Sequence, residues 1–74
     1  MDIRILREYV EFSKHLNFSA AARFLHMSQS SLSKHIAELE KEIGFTLVNR
    51  DSEIALTAAG RQFLKSAEDM LYDY

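Results

Sequence analysis

Gln29, Ser30, Ser33 and Lys34 bring an amide, two hydroxyls and one cation together in a short stretch of this 74-residue chain. An amide gives and accepts hydrogen bonds at once, a hydroxyl does either, and an ammonium group seeks an anion. Such groups suit the edges of nucleic-acid bases and their phosphates. A helix face that is merely solvated more often shows Glu and Lys in pairs. Serine is also a mediocre helix former, so Ser28, Ser30, Ser31 and Ser33 in succession need a reason, and helix capping explains only Ser28. Other chemistry finds little footing. His15, His26 and His35 lack metal-ligand spacing, and the absence of cysteine excludes a zinc finger or a disulfide framework. Ser33 and His35 are two apart on a helix and do not face each other. No combination of nucleophile, base and anion hole is present, so neither an enzyme nor a cofactor is expected.

These residues need a helix to hold them. Leu32, Ile36, Leu39 and Ile43 recur at steps of four, three and four, which predicts a helix over 29–43 with one apolar face. Ser28 is its cap, and Gly44 offers a left-handed stop. Gln29, Ser30, Ser33 and Lys34 lie on the opposite face of its first turns. A second cap signal, Ser19, predicts a short helix over 20–25, with His26 and Met27 in the turn between. A short helix, a tight turn and a longer helix make a helix-turn-helix unit, whose second helix enters the major groove of DNA. Ala20, Ala21 and Ala22 would let the two helices cross closely. Phe18, just before Ser19, could form a hydrophobic staple.

Around this unit the chain predicts a helix over 2–15, with Ile3, Leu6, Val10 and Ser13 as its stripe and Tyr9 beside it. Asp2 stands where the helix dipole favours an anion, and Arg4–Glu8 and Arg7–Glu11 are spaced for pairing. Leu16 and Asn17 make a turn. Two short apolar runs, 45–50 and 54–56, flank the polar Asp51, Ser52 and Glu53 and read as a hairpin. Glu38, Glu40 and Glu42 alternate with Lys41 and read as a solvated surface. Thr57 caps a last helix over 58–74, whose stripe is Phe63, Ala67, Met70, Leu71 and Tyr74. This stripe reaches the last residue without a stop signal, as if the chain were cut within a helix. Beyond Lys65 too little chain remains to cover it, so a partner helix is expected there, with Glu68, Asp69 and Asp73 outside the seam.

The length allows one domain with a modest core. No proline and only two glycines favour a mainly α chain. The formal charge of −2 is awkward for a nucleic-acid ligand, but residues 17–37 contain no carboxylate and do contain Arg23 and Lys34. The N-terminus has no apolar signal segment, and no apolar run approaches membrane-spanning length, so a soluble cytoplasmic protein without membrane contact is expected.

The opening Met-Asp-Ile-Arg-Ile-Leu-Arg, then Tyr9-Val10, Phe18-Ser19, Ala21-Ala22, Leu25, Ser28-Gln29, Leu32-Ser33, Ile36, Leu39-Glu40, Ile43-Gly44, Leu47, Arg50, Leu56-Thr57 and Gly60 together resemble the N-terminal domain of LysR-type transcriptional regulators. The resemblance spans almost the whole chain and has no gap from Met1 to Arg50. It implies a winged helix-turn-helix over 1–58, with a three-helix core and a short two-stranded wing. A dimerisation linker helix would begin at 59–74. A separate C-terminal domain, absent from this sequence, would sense a small-molecule inducer. Carried over residue by residue, it places Ser28, Gln29, Ser30, Ser31, Ser33 and Lys34 at double-stranded DNA, with Arg50 near the wing. Several positions depart from the family pattern. Ser30 stands where proline is usual, and Lys34 where arginine is common, so contact at Lys34 shifts from guanine towards phosphate. The wing is a residue shorter and carries Asp51 and Glu53 where Arg and Gly are common. Phosphate repels such a tip. The expected function is therefore sequence-specific DNA binding by a bacterial-type transcription regulator, as a homodimer or higher homo-oligomer on an inverted repeat. The alternative is a winged-helix module for protein–protein contact alone, favoured by the net charge and the acidic wing.

Overall fold

A computed structural model describes residues 1–73. In chain order the described elements are α1 (Ile3–His15), α2 (Phe18–Phe24), α3 (Gln29–Ile43), β1 (Val48–Asn49), β2 (Ala55–Leu56) and α4 (Ala58–Tyr72). The two strands form an antiparallel hairpin in which Val48 faces Leu56 and Asn49 faces Ala55. No helix among the described residues is long and apolar enough to cross a membrane.

Each helix begins at a side chain that accepts a free backbone N–H. Asp2 accepts from Arg4 at the start of α1, Ser28 from Ser31 at α3, and Thr57 from Gly60 at α4. At α2 the cap is Asn17, which accepts from the Ala20 N–H at 2.8 Å, and not Ser19. The helix therefore starts two residues earlier than expected, and Phe18 is its first residue. Asn is as good a cap as Ser, and the earlier site frees Phe18 to pack on Phe12, ring to ring at 4.5 Å. Asp2 also takes the Arg4 guanidinium, 3.0 Å away, in place of the expected Arg4–Glu8 pair; these hydrogen bonds hold the Asp2 carboxyl below its ordinary range. Glu8 turns instead to His35 Nδ1 on α3, at 2.7 Å, and Glu11 to His15 and Lys14.

The core lies where α1 meets α2, α3 and α4. Its fully enclosed large residues are Tyr9, Phe12, Leu32, Ile36, Leu39 and Leu47. The stripe on α1 is thus rotated from the expected one: Leu6, Tyr9 and Phe12 are buried, whereas Val10 and Ser13 are only half-buried. Helix α1 is packed from two sides and presents a wide apolar arc, which its aromatic residues fill. Ala21 and Ala22 are buried where α2 crosses the core, as their size foreshadowed. Leu32, Ile36 and Leu39 of α3 are buried and Ile43 packs beside them.

The wing is shorter than the two apolar runs implied. Its approach is held by side chains in place of a longer ladder. The Glu40 carboxylate accepts from the Leu47 and Val48 N–H groups at 2.7 and 3.1 Å, and the Thr57 hydroxyl donates to the Thr46 carbonyl. Helix α3 ends at Gly44 in the left-handed conformation, with φ +90°, as expected. Among the described residues Leu16 after α1 and His26 in the turn before α3 adopt this region as well.

Helix α4 packs along α1. Tyr9 donates a hydrogen bond to the Gly60 carbonyl at 2.7 Å, and its ring meets Phe63 at 5.8 Å between centroids. Burial, then the nearby Glu40 carboxylate, push the Tyr9 hydroxyl up to about 12, so it stays a neutral donor. The stripe proposed for a partner splits in two. Ala67 is 0% exposed and belongs to this domain's own core, and Leu71 packs against the same core. The expectation that chain beyond Lys65 lacks cover is corrected at these two positions, because α1 supplies it. Met70 remains 43% exposed, and Phe63 lies at the edge. The described helix ends at Tyr72, with Asp73 in the cap position. Tyr74, the last member of the expected stripe, lies outside the described residues.

Candidate nucleic-acid interface

Burial of Leu32, Ile36 and Leu39 fixes the rotation of α3 and so decides what its other face shows. Gln29, Ser30 and Lys34 are exposed on that face. Ser28 is engaged by its own helix: its oxygen accepts the Ser31 N–H at 3.1 Å, and its hydroxyl donates to Ser31 Oγ at 2.8 Å. Ser31 is half-buried behind it. Ser28 and Ser31 therefore build the helix start; Ser30, 3.4 Å from the Ser28 hydroxyl, stays exposed beside Gln29 and Lys34. Arg23, at the end of α2, is exposed as well.

Ser33 and Arg50 are brought together. Arg50 Nη1 donates to Ser33 Oγ at 2.6 Å, and its guanidinium carbon stands 4.7 Å from the Phe18 ring centroid. On its other side Glu40 Oε1 lies 4.0 Å from Nη2. Arg50 thus follows the wing's first strand but leans onto α3. The wing tip beyond it keeps its acids outward: Asp51, Ser52 and Glu53 are all exposed. The Asp51 N–H donates to the Asn49 side-chain oxygen, which closes the tip locally.

Sequence reasoning missed Glu40, read as one of three solvated acids. Its side chain is only 17% exposed and ties α3 to the wing through two backbone N–H groups. A signal existed. Ser33 and Glu40 are seven apart, two helical turns, and so share the face that a following arginine would meet. Phe18 was read as a staple, and its role as a platform for Arg50 had no local signal. The histidines are dispersed: His15 meets Glu11, His35 meets Glu8, and His26 sits in the turn. Among the described residues no group of three His, Asp or Glu could hold a metal ion.

A short helix crossed by a longer one whose polar face stays open, followed by a two-stranded hairpin, defines a winged helix-turn-helix protein. Residues 3–61 match the model of the bacterial regulatory helix-turn-helix proteins of the lysR family, and the chain belongs to that family. It is 48% identical over 68 residues to the Hca operon transcriptional activator HcaR of Escherichia coli K12, a match covering 90% of this chain and 23% of that protein. The chain spans about a quarter of the length of the curated relatives it matches. Among solved structures it is similar to the BenM DNA-binding domain in complex with catB site 1 DNA, with a TM-score of 0.93 and 34% identity, over 99% of this chain and 80% of that one. It is likewise similar to the CbnR DNA-binding domain–DNA complex, with a TM-score of 0.92 and 36% identity, over 97% and 84% of the two chains.

Proposed function

We propose that this chain is the DNA-binding module of a cytoplasmic bacterial transcription regulator and that α3 is its recognition helix. The observation that carries this reading is the open face of α3: Gln29, Ser30 and Lys34 stand clear of the core on a stretch without carboxylates. The two solved neighbours named above, similar over nearly the whole chain, are complexes with DNA. Gln29 pairs with a base edge, Ser30 lies next to it, Lys34 and Arg50 take phosphates, and Ser28 and Ser31 form the helix start that presents them. The module itself catalyses nothing. From residue 59 onward α4 begins a linker helix, and a small-molecule inducer would belong to a separate domain.

One such motif reads few base pairs, so two copies on an inverted repeat are part of the proposal, with recognition helices about 34 Å apart. The proposed seam follows the open face of α4. Ala59, Phe63, Ser66 and Met70 follow one another at steps of four, three and four; Ser66 and Met70 are exposed, and Phe63 at the edge also packs on Tyr9. Phe45, Ala59, Gln62, Phe63 and Ser66 line a groove of about 300 Å³ beside them.

The exposed acidic wing tip favours one competing reading, a module that contacts only proteins. Gln29→Ala separates the two. Loss of a two-bond amide contact is expected to cost about 1–3 kcal/mol on the promoter beside the chain's own gene and almost nothing on random duplex. Fluorescence anisotropy on both duplexes measures this. Equal losses on both would remove the base-reading role.

A further inference from the structure

Arg50 is gripped from three sides, and we propose that Ser33 is a positioning residue that acts on DNA through Arg50 and does not itself read a base. The proposal rests on the DNA-binding reading above and deepens it. Ser33 and Glu40 stand two turns apart on one face of α3, about 10 Å along the axis, and the Arg50 guanidinium lies between them. Its Nη1 donates to Ser33 Oγ at 2.6 Å, its Nη2 faces Glu40 Oε1 at 4.0 Å, and the Phe18 ring lies against it at 4.7 Å.

The three neighbours do different things. Glu40 is itself anchored, because its other oxygen accepts the Leu47 and Val48 N–H groups. It therefore fixes the cation relative to the wing strand, but it also screens part of the positive charge. Phe18 sets the plane of the guanidinium. Ser33 holds the near end with a neutral hydroxyl, which fixes the group without cancelling any charge. A guanidinium carries five N–H donors, and Ser33 occupies one. The carboxylate at 4.0 Å is beyond hydrogen-bond distance, so donors remain for a phosphate oxygen in the angle between α3 and the wing. Ser33 is half-buried, unlike the exposed Gln29, Ser30 and Lys34, and its oxygen is turned to the arginine.

A residue that orders a phosphate-binding cation affects every DNA sequence alike, whereas a base reader affects only the matching one. Ser33→Ala, Ser33→Thr, Arg50→Ala and the Ser33→Ala/Arg50→Ala double variant are compared with the parent on the promoter duplex and on a random duplex, across salt concentrations. Alanine is a good helix former, so α3 is retained, and melting curves verify this. Ser33→Ala is expected to weaken both duplexes by the same factor, about three- to tenfold. It should also make the log–log salt slope shallower, by up to about 1.8 for the two Arg50 contacts of a pair of copies. Threonine, which keeps the hydroxyl, should restore binding, and the double variant should bind no worse than Arg50→Ala. Loss confined to the promoter, or losses that multiply fully in the double variant, would overturn the positioning role while leaving DNA binding intact. A parent that binds neither duplex would overturn the DNA-binding reading itself, and the proposal with it.

Discussion

Gly60→Ala is expected to lower stability by about 3 kcal/mol or more. A Cβ built on Gly60 would lie 2.1 Å from the Leu47 carbonyl oxygen and 3.1 Å from the Tyr9 hydroxyl. The first neighbour is backbone and cannot swing aside. The Leu47 carbonyl accepts the Thr57 N–H at 2.9 Å, and the Leu47 N–H is held by Glu40. Relief requires α4 to move away from the wing, which would break the Tyr9–Gly60 hydrogen bond and open the Tyr9–Phe63 contact. For a domain of this size each kcal/mol lowers the melting temperature by about 4–8 °C, so thermal unfolding should show a fall of more than about 12 °C. A shift of only a few degrees would mean that α4 is not clamped against the Leu47 carbonyl. Gly44 forms an instructive contrast. Nothing lies within 4 Å of a Cβ there, and only its left-handed backbone, at φ +90°, resists substitution.

Ser66→Asp/Met70→Asp is expected to give a folded monomer whose promoter binding is weaker by about 10²-fold or more, since a linked second site gains that much from effective concentration. Both residues are exposed on the open face of α4, so the core against α1 is spared. Leu71 is unsuitable for this purpose because it packs on the core, and Ala67 is enclosed in it. Placing carboxylates on both copies of the seam sets like charges against each other and keeps apolar surface in water. Sedimentation and binding of the parent and the double variant provide the measurement. A variant still dimeric would show that copies meet through another face. A parent that is monomeric at tens of micromolar would place the dimer contacts beyond residue 73.

Much of this molecule was legible from local signals. Ser28 and Thr57 as caps, Gly44 as a stop, the buried run Leu32, Ile36 and Leu39, and the small Ala21 and Ala22 each follow from rules that act within a few residues. Family membership and the winged helix-turn-helix came through an ordered set of such positions. The errors share a cause: partners distant in sequence. Asn17 displaced Ser19 as cap because Phe18 packs on Phe12. Glu8 left Arg4 for His35, 27 residues away. Glu40 looked like one of several surface acids until the chain folded back and laid the Leu47 and Val48 N–H groups on it. The stripe on α4 could not be divided from sequence, because which apolar residues α1 covers depends on the rotation of α4, which Gly60 and Tyr9 set.

The most direct test of the central claim is the affinity for a duplex carrying the promoter beside the chain's own gene, measured between about 50 and 200 mM salt. If α3 docks in the major groove with Lys34 and Arg50 on phosphates, two copies make at least four such contacts. Each contributes about 0.9 to the log–log slope, so the slope should be near −3.6 or steeper, and the promoter should be preferred over random duplex by about 10³-fold or more. A slope near zero, with no preference for the promoter, would contradict the account and leave the open face of α3 as a surface for another protein.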